Sequence, residues 1–416
     1  MATPYLLQEL LFNTEASFAV NAMSPTSNTY ATRIPCIGPP TVTLDQDRIR
    51  DGGIQSRSNE EAIGHIGVRS ATLEFTTYWG GHQSTAAGAL TETPLNQLFW
   101  YGLGGHNVGS VGTTVSGAAS TTTQVNGTDL TTFVNGGLLR VGVKGDGRGD
   151  GAASPINAVT DATPDNATLL VALPAAPTTA GDVIYAMQLA YPDESTLTSL
   201  QSLRFMVGHT TSGAQFHLMG CQLQSMAFDL TPGDLPKVTL SYRAAYWDRG
   251  TATIPTGTSL SDNVCAPIAG GSFTIQDYGT TTRTQTSAAN IRFTVDMGLE
   301  PITTVNATGT YGNITGWVRT KSQAMLSMDV PWSQTSQAGA DEWDGTSNLT
   351  KHVLFQSNHT NGRSVGFYLP RCRIAGKRPS QVVNANNQNY MTINLMAVDD
   401  TTSTELQKSN FRLFAG

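Results

Sequence analysis

The sequence predicts an all-β fold built from two tandem β-sandwich domains, with a short helix in each. Three observations point there. Charged residues make up 13% of the 416-residue chain, and 42 glycines with abundant threonine, serine, alanine and asparagine take their place. That mixture is poor in helix formers and rich in turn formers and β-tolerant threonine. Several stretches alternate apolar and polar residues with a period of two, which puts each apolar set on one face of a sheet. The order of those stretches then recurs in the second part of the chain. The length corresponds to roughly two or three domains of ~150 residues.

The elements follow in order. Tyr5 to Leu11 has the apolar spacing of a short helix. Ser24 to Pro40 carries Pro25, Pro35, Pro39 and Pro40 and reads as an extended arm. DQDRIRDGG, Asp45 to Gly53, reads as a charged turn. VRSATLEFTTYW, Val68 to Trp79, alternates as a strand, with Leu73, Phe75, Thr77 and Trp79 on one face and Glu74 on the other. After a glycine-rich link, Thr93 is placed as an N-cap with Pro94 at the first helical position. Leu95, Leu98 and Phe99 have helical spacing before Gly102, Gly104 and Gly105 stop the helix.

Residues 106 to 195 are low in complexity and read as a long, loop-rich insertion with short strands near Gly137–Val143 and Ala167–Leu173. Leu203 to Val207 precedes GCQLQSMAFDLTPGDLPKVTLSYRAAYW, Gly220 to Trp247, a strand, a proline–glycine break and a strand. Residues 250 to 285 read as a linker. NIRFTVDMG, a short segment at Ile314–Val318, AMLSMDVPW, VGFYLPRCRI and YMTINLMAVDD then supply the strands of the second domain. LEFTTYW matches LSMDVPW, and the strand–break–strand of Gly220–Trp247 matches YLPRCRI through MTINLMAV. The boundaries are therefore 1–249, a linker at 250–285, and 286–416.

Composition limits the function classes. A formal net charge of −7 does not suit a protein that grips phosphate backbone. Cys36, Cys221, Cys265 and Cys372 are scattered without a CxxC pair, so they read as buried free thiols. MATPYLLQELLF lacks a basic region ahead of its apolar residues, so synthesis in the cytosol is expected. No apolar run reaches the ~20 residues that span a bilayer. KGDGRGDG, Lys144 to Gly151, lacks the GxxxxGK[ST] spacing of a phosphate loop and reads as an exposed loop containing an RGD tripeptide. The seven histidines form no HExxH motif, and no GxSxG elbow is present. No catalytic, cofactor-binding or metal-ligating residues are assigned.

Two passages, VRSATLEFTTYWGGHQSTAAGALTETPLNQLFWYGLGG and GCQLQSMAFDLTPGDLPKVTLSYRAAYW, resemble the major tail tube proteins of long-tailed bacteriophages. NIRFTVDMG, GWVRTKSQAMLSMDVPW and VGFYLPRCRI resemble the distal part of such proteins. The resemblance implies β-sandwich subunits that form rings, with the rings stacked into a tube through which phage DNA passes during ejection. With two tube domains per chain, three chains make a pseudo-hexameric ring; with one, six chains are needed. It implies partners among other tail proteins, a place in the virion tail, transient passage of DNA without specific binding, no membrane insertion and no enzymatic activity. Glu74, Asp229, Arg243, Asp296 and Asp329 are the candidates to face the lumen, and the insertion is expected on the outer surface. The arm before Pro40 and the tail after Asp400 are candidates to lock adjacent rings. The alternative is a virion or surface β-sandwich protein binding glycan or receptor, with Trp343 or Trp247 stacking on sugar.

Overall fold

The computed structural model describes residues 8–15, 32–49, 65–82, 94–107, 110–116, 120–143, 151–177, 182–193, 201–209, 213–251, 254, 258–259, 263–264, 266–303, 314–320, 322–331, 350–359, 363–375, 382–385, 388–399 and 405–416. The first half opens with β1 (Gln8–Thr14), β2 (Thr32–Ile34), β3 (Thr41–Ile49), β4 (His65–Tyr78) and β5 (Gly81–His82), then helix α1 (Pro94–Leu103) and β6 (Gly104–Asn107). An inserted unit holds β7 (Ser110–Thr114), β8 (Gln124–Gly127), β9 (Leu138–Val143), β10 (Ala153–Thr160), β11 (Asp165–Leu169) and β12 (Asp182–Ala186). The chain returns through β13 (Gln188–Pro192), β14 (Leu203–His209), β15 (Ala214–Leu230), β16 (Lys237–Ala244) and β17 (Tyr246–Thr251). β18 (Thr258–Ser259), β19 (Asn263–Val264) and β20 (Ser272–Asp277) lead to β21 (Ala289–Asp296), β22 (Leu299–Thr303), β23 (Ile314–Arg319) and β24 (Gln323–Pro331). Last come β25 (Lys351–Gln356), β26 (Val365–Ile374), β27 (Val382–Ala385), β28 (Gln388–Ala397), the one-turn helix α2 (Glu405–Lys408) and β29 (Arg412–Ala415). The fold is all-β, as the composition predicts.

The second half repeats the pairings of the first. In the first, β3 pairs β4, β4 pairs β16 and β16 pairs β15. In the second, β21 pairs β24, β24 pairs β28 and β28 pairs β26. A second set recurs as well. β1–β14, β14–β15 and β15–β17 correspond to β20–β25, β25–β26 and β26–β29. Every counterpart appears in the same chain order. β20 lies inside the segment read as a linker, because its alternating Phe273 and Ile275 are needed beside β25.

The halves are joined strand to strand. β15 is 17 residues long, and its C-terminal part pairs β21 from Ser225↔Asp296 to Leu230↔Ile291. A second seam runs through β6–β13–β29–β26. β15 bends between its two roles at Gly220, whose φ of 60° is open to glycine at little cost. The Gly220 amide donates to the Glu15 carboxylate, and its carbonyl accepts from Trp317 Nε1 at 2.7 Å.

One apolar core spans both halves. In the first, Phe75 faces Phe205 (6.2 Å between ring centroids) and Trp79 packs on Phe228 (4.6 Å). In the second, Phe293 stacks on Phe367 at 4.6 Å. Helix α1 lies against this core through Leu95, Leu98, Phe99 and Leu103, all at most 1% exposed. Gly104, at φ 95°, ends it as expected. Thr93, read as its cap, lies outside the described residues. Arg319 from the second half donates to the carbonyls of Gly102 and Leu103 at the helix C-terminus, where a cation meets the negative end of the helix dipole.

Several expectations are corrected. Residues 8–11, read within a short helix, begin strand β1. Leu10 and Phe12 point into the main core while Leu11 packs with Met206 on the other side, so both faces are covered and the period of two is lost. DQDRI is the second part of β3, not a turn; its charge suits an edge strand. The arm before Pro40 is partly used inside the subunit, as β1 and β2. Of the tail after Asp400, residues 405–416 lie within the subunit, with β29 buried between β26 and β13.

The insertion is a β unit rather than a string of loops. Its sheet order is β7–β12–β9–β10–β11–β8, and a bridge from Val115 to Gly127 brings the two ends together. It has its own core, including Val125, Leu130, Leu139, Ile156 and Ile184. It rests on the second half through Leu138, Val171, Leu354, Tyr368 and Phe414. Gln356 ties the two backbones: its Nε2 donates to the Gly151 carbonyl (2.8 Å) and its Oε1 accepts from the Ala153 amide (2.7 Å).

A cavity of about 150 Å³ lies in this seam, lined by Ile156, Asn157, Tyr368, His352, Gln407 and Arg412. His352 is 2% exposed. Burial holds its imidazole down to about 4, with nearby Asp277 pulling the other way. An unfolded histidine protonates near 6.5. This site's contribution is therefore complete above pH 6.5 and is lost as pH falls toward 4. The loss amounts to about 3 kcal/mol, since each unit is worth 1.36 kcal/mol. Chemical denaturation across that window is expected to show this slope, and His352→Gln to flatten it. An unchanged slope in the variant would assign the acid sensitivity elsewhere.

Candidate functional site: the open face of the shared sheet

The strand order β3–β4–β16–β15–β21–β24–β28 makes one sheet through both halves. Alternation sends Leu73, Phe75, Leu240, Tyr242, Phe228, Phe293 and Leu326 into the core. The intervening residues form the opposite, open face. Cross-strand rows are read from the register. One runs Thr41, Glu74, Ser241, Ser225, Asp296 and Gln323. The next runs Thr76, Thr239, Ala227, Thr294 and Met325, and the third runs Tyr78, Lys237, Asp229, Arg292 and Ser327.

All five sequence-predicted residues stand on this face. Glu74, Asp229 and Asp296 are exposed. Asp296 accepts from the Gly298 amide at 3.0 Å, and Asp229 from the Thr231 hydroxyl at 3.2 Å. The other two have structural partners. Asp329 accepts from Asn290 Nδ2 (2.9 Å) and the Thr392 hydroxyl (2.7 Å), which pins the bulge where Asn290 adopts φ 48°. Arg243 lies 5.2 Å over the Trp317 ring and donates to the Leu299 carbonyl at 3.5 Å, so the β22–β23 hairpin covers that corner.

Sequence reasoning missed Asp45, Lys237 and Arg292 on the same face. The alternation that turns Ile291, Phe293 and Val295 inward turns Arg292 outward, so that signal was present. Asp45 was hidden by reading its stretch as a turn. Among the described residues, Asp45, Glu74, Asp229, Asp296 and Asp329 on this face outnumber Lys237, Arg243, Arg292 and, where β26 continues the sheet beyond β28, Arg373. Between the charges stand short hydroxyl side chains, and Thr76 and Thr239 are hydrogen-bonded to each other at 2.9 Å. Such a surface is polar and weakly acidic, and from Thr76 to Thr294 its middle row carries only short side chains before reaching Met325.

Other candidates sit elsewhere. Trp247 is 8% exposed, with the Arg249 guanidinium 5.7 Å from its ring, so it is not open to a sugar. Trp343, Cys265 and the RGD loop lie outside the described residues. Cys221 and Cys372 are buried free thiols and Cys36 is half-buried. Burial pushes the Cys36 thiol up to about 12 and raises those of Cys221 and Cys372 as well. Among the described residues no group of three His, Cys, Asp or Glu side chains is placed to hold a metal ion, and no helix is long and apolar enough to cross a membrane. In comparisons with known proteins, no family model and no curated protein matches the chain.

Proposed function

We propose that this chain is a structural virion protein, the subunit of a tail tube whose stacked rings conduct phage DNA during ejection. The observation that carries the reading is the edge-to-edge repeat. Two copies of one strand pattern are joined head to tail by β15–β21 into one sheet, the heterologous kind of contact that generates rings when it closes. Three chains then supply six repeats, and the open face lines the lumen. Its acidic balance repels the DNA phosphates, so passage leaves no lasting contact. The subunit is made in the host cytoplasm and works in the virion tail, with itself and neighbouring tail proteins as partners.

Negative-stain electron microscopy of the purified full chain tests this. Hollow rings or tubes with threefold symmetry are expected. A stable monomer at high concentration, or a monomer that binds glycan, would overturn it.

A further inference from the structure

The open edge of β3 has an identifiable occupant. We infer that it pairs with β27 of a second copy of this chain, antiparallel, with Val42 opposite Val382 and Thr41 opposite Val383 of the neighbouring copy. The inference rests on the ring-forming reading above and adds which strands meet and in what register.

The template is inside the chain. β3 and β21 are counterparts with the same register on their inner neighbours. Val42 stands opposite Leu73, and Phe293 stands opposite Leu326; Thr41 stands opposite Glu74, and Arg292 opposite Ser327. The sequences TVTLD and RFTVD follow the same pattern. On the other side, Phe228 is opposite Val238, which is opposite Thr77. Val382 is opposite Met391, which is opposite Val330. Thr77 and Val330 are counterparts in LEFTTYW and LSMDVPW, so β27 takes the place of the end of β15. In the internal junction Phe228 faces Phe293 and Asp229 faces Arg292. Carrying that register to the free edges yields the two pairs above.

Burial shows which edge is incomplete. Phe293 and Val295, flanked by β15 and β24, are 0% and 1% exposed. Their counterparts Val42 and Leu44 pack on the same core yet are only half-buried. Among the described residues β3 pairs only β4, and β27 pairs only β28. A strand added at β3 satisfies its outward backbone groups and finishes covering Val42 and Leu44, which is how an open edge is removed. The counterpart of this added strand, β15, already does both for β21.

Cysteine pairs test the register. Thr41→Cys with Val383→Cys, treated with a short bis-maleimide in the full-length protein, is expected to shift most of the chain into covalent dimers and trimers on denaturing gels. Mass spectrometry of the linked peptides would identify the bond. Asp229→Cys with Arg292→Cys is the internal control and is expected to link within one chain. If rings are seen by electron microscopy and the control links, absence of the Thr41–Val383 link overturns this inference and leaves the ring reading standing. If the link forms in open filaments without rings, the pairing holds and the tube reading fails. If the protein is monomeric and only the control links, both fail.

Discussion

Replacing Phe293 with alanine is expected to lower the unfolding free energy by about 3–5 kcal/mol, the range for large aromatic deletions in a core. The ring is fully buried. It stacks on Phe367 at 4.6 Å and Phe228 at 5.7 Å and meets Phe411 edge-on at 5.7 Å. Phe228 belongs to the first half and the other two to the second, so the lost contacts lie on both sides of the β15–β21 seam. The damage is therefore expected to be shared. Hydrogen exchange should show β15 and β16 losing protection together with β21 and β24, and denaturation should remain one transition at a lower midpoint. Two transitions, with the first half unchanged, would mean that the halves are independent domains in contact rather than one sheet.

That seam was not legible in the sequence, although its strands were. LEFTTYW, SMAFDL, KVTLSYRA, NIRFTVD and AMLSMDV alternate cleanly because one face is buried and the other open, and each forms a strand in the expected phase. The alternation read on through Tyr246 breaks at Ala245, and β17 then begins with both faces covered. Local alternation says which face of a strand is apolar. It does not say which distant strand lies beside it, so the pairing of Phe228 with Phe293 had no local signature. The same limit explains the open face. Four carboxylates and Arg243 were each assignable to polar faces, and their gathering on one sheet depended on the register between β4, β16, β15, β21 and β24. β1 failed for a different reason: Leu10, Leu11 and Phe12 are all buried because the strand is covered on both sides. The insertion reads only as loops with two short strands because its strands are short, about four to eight residues, and mix Ala, Thr, Ser, Gly and Asn with scattered Leu, Ile and Val, so no period runs long enough to stand out. Its core is made by closing a short sheet on itself rather than by long apolar runs.

Beside Gln356 and the Leu138–Leu354–Phe414 contacts, a branched clasp fixes the inserted unit to the second half, and its removal carries the other large expected effect. Arg283 lies in the stretch first read as a linker. Its Nε donates to the Ala172 carbonyl at 2.7 Å and one terminal nitrogen to the Ala153 carbonyl at 2.6 Å, both in the insertion. The other reaches the Ser272 hydroxyl of β20 at 3.3 Å. Burial lowers the guanidinium to about 10, which leaves it cationic at neutral pH. Hydrogen bonds from a charged donor contribute about 1.5–3 kcal/mol each, and carbonyls left without a donor add to the loss. With the site half-buried, Arg283→Met is expected to cost about 2–4 kcal/mol in total. Lysine cannot reproduce the planar fork, so Arg283→Lys should recover less than half of that. The expected readout is faster amide exchange in β10, in Leu170–Leu173 and in β20, with β4 and β16 unaffected. Equal exchange in wild type and both variants would show that Gln356 and the Leu138–Leu354–Phe414 contacts hold the unit without Arg283.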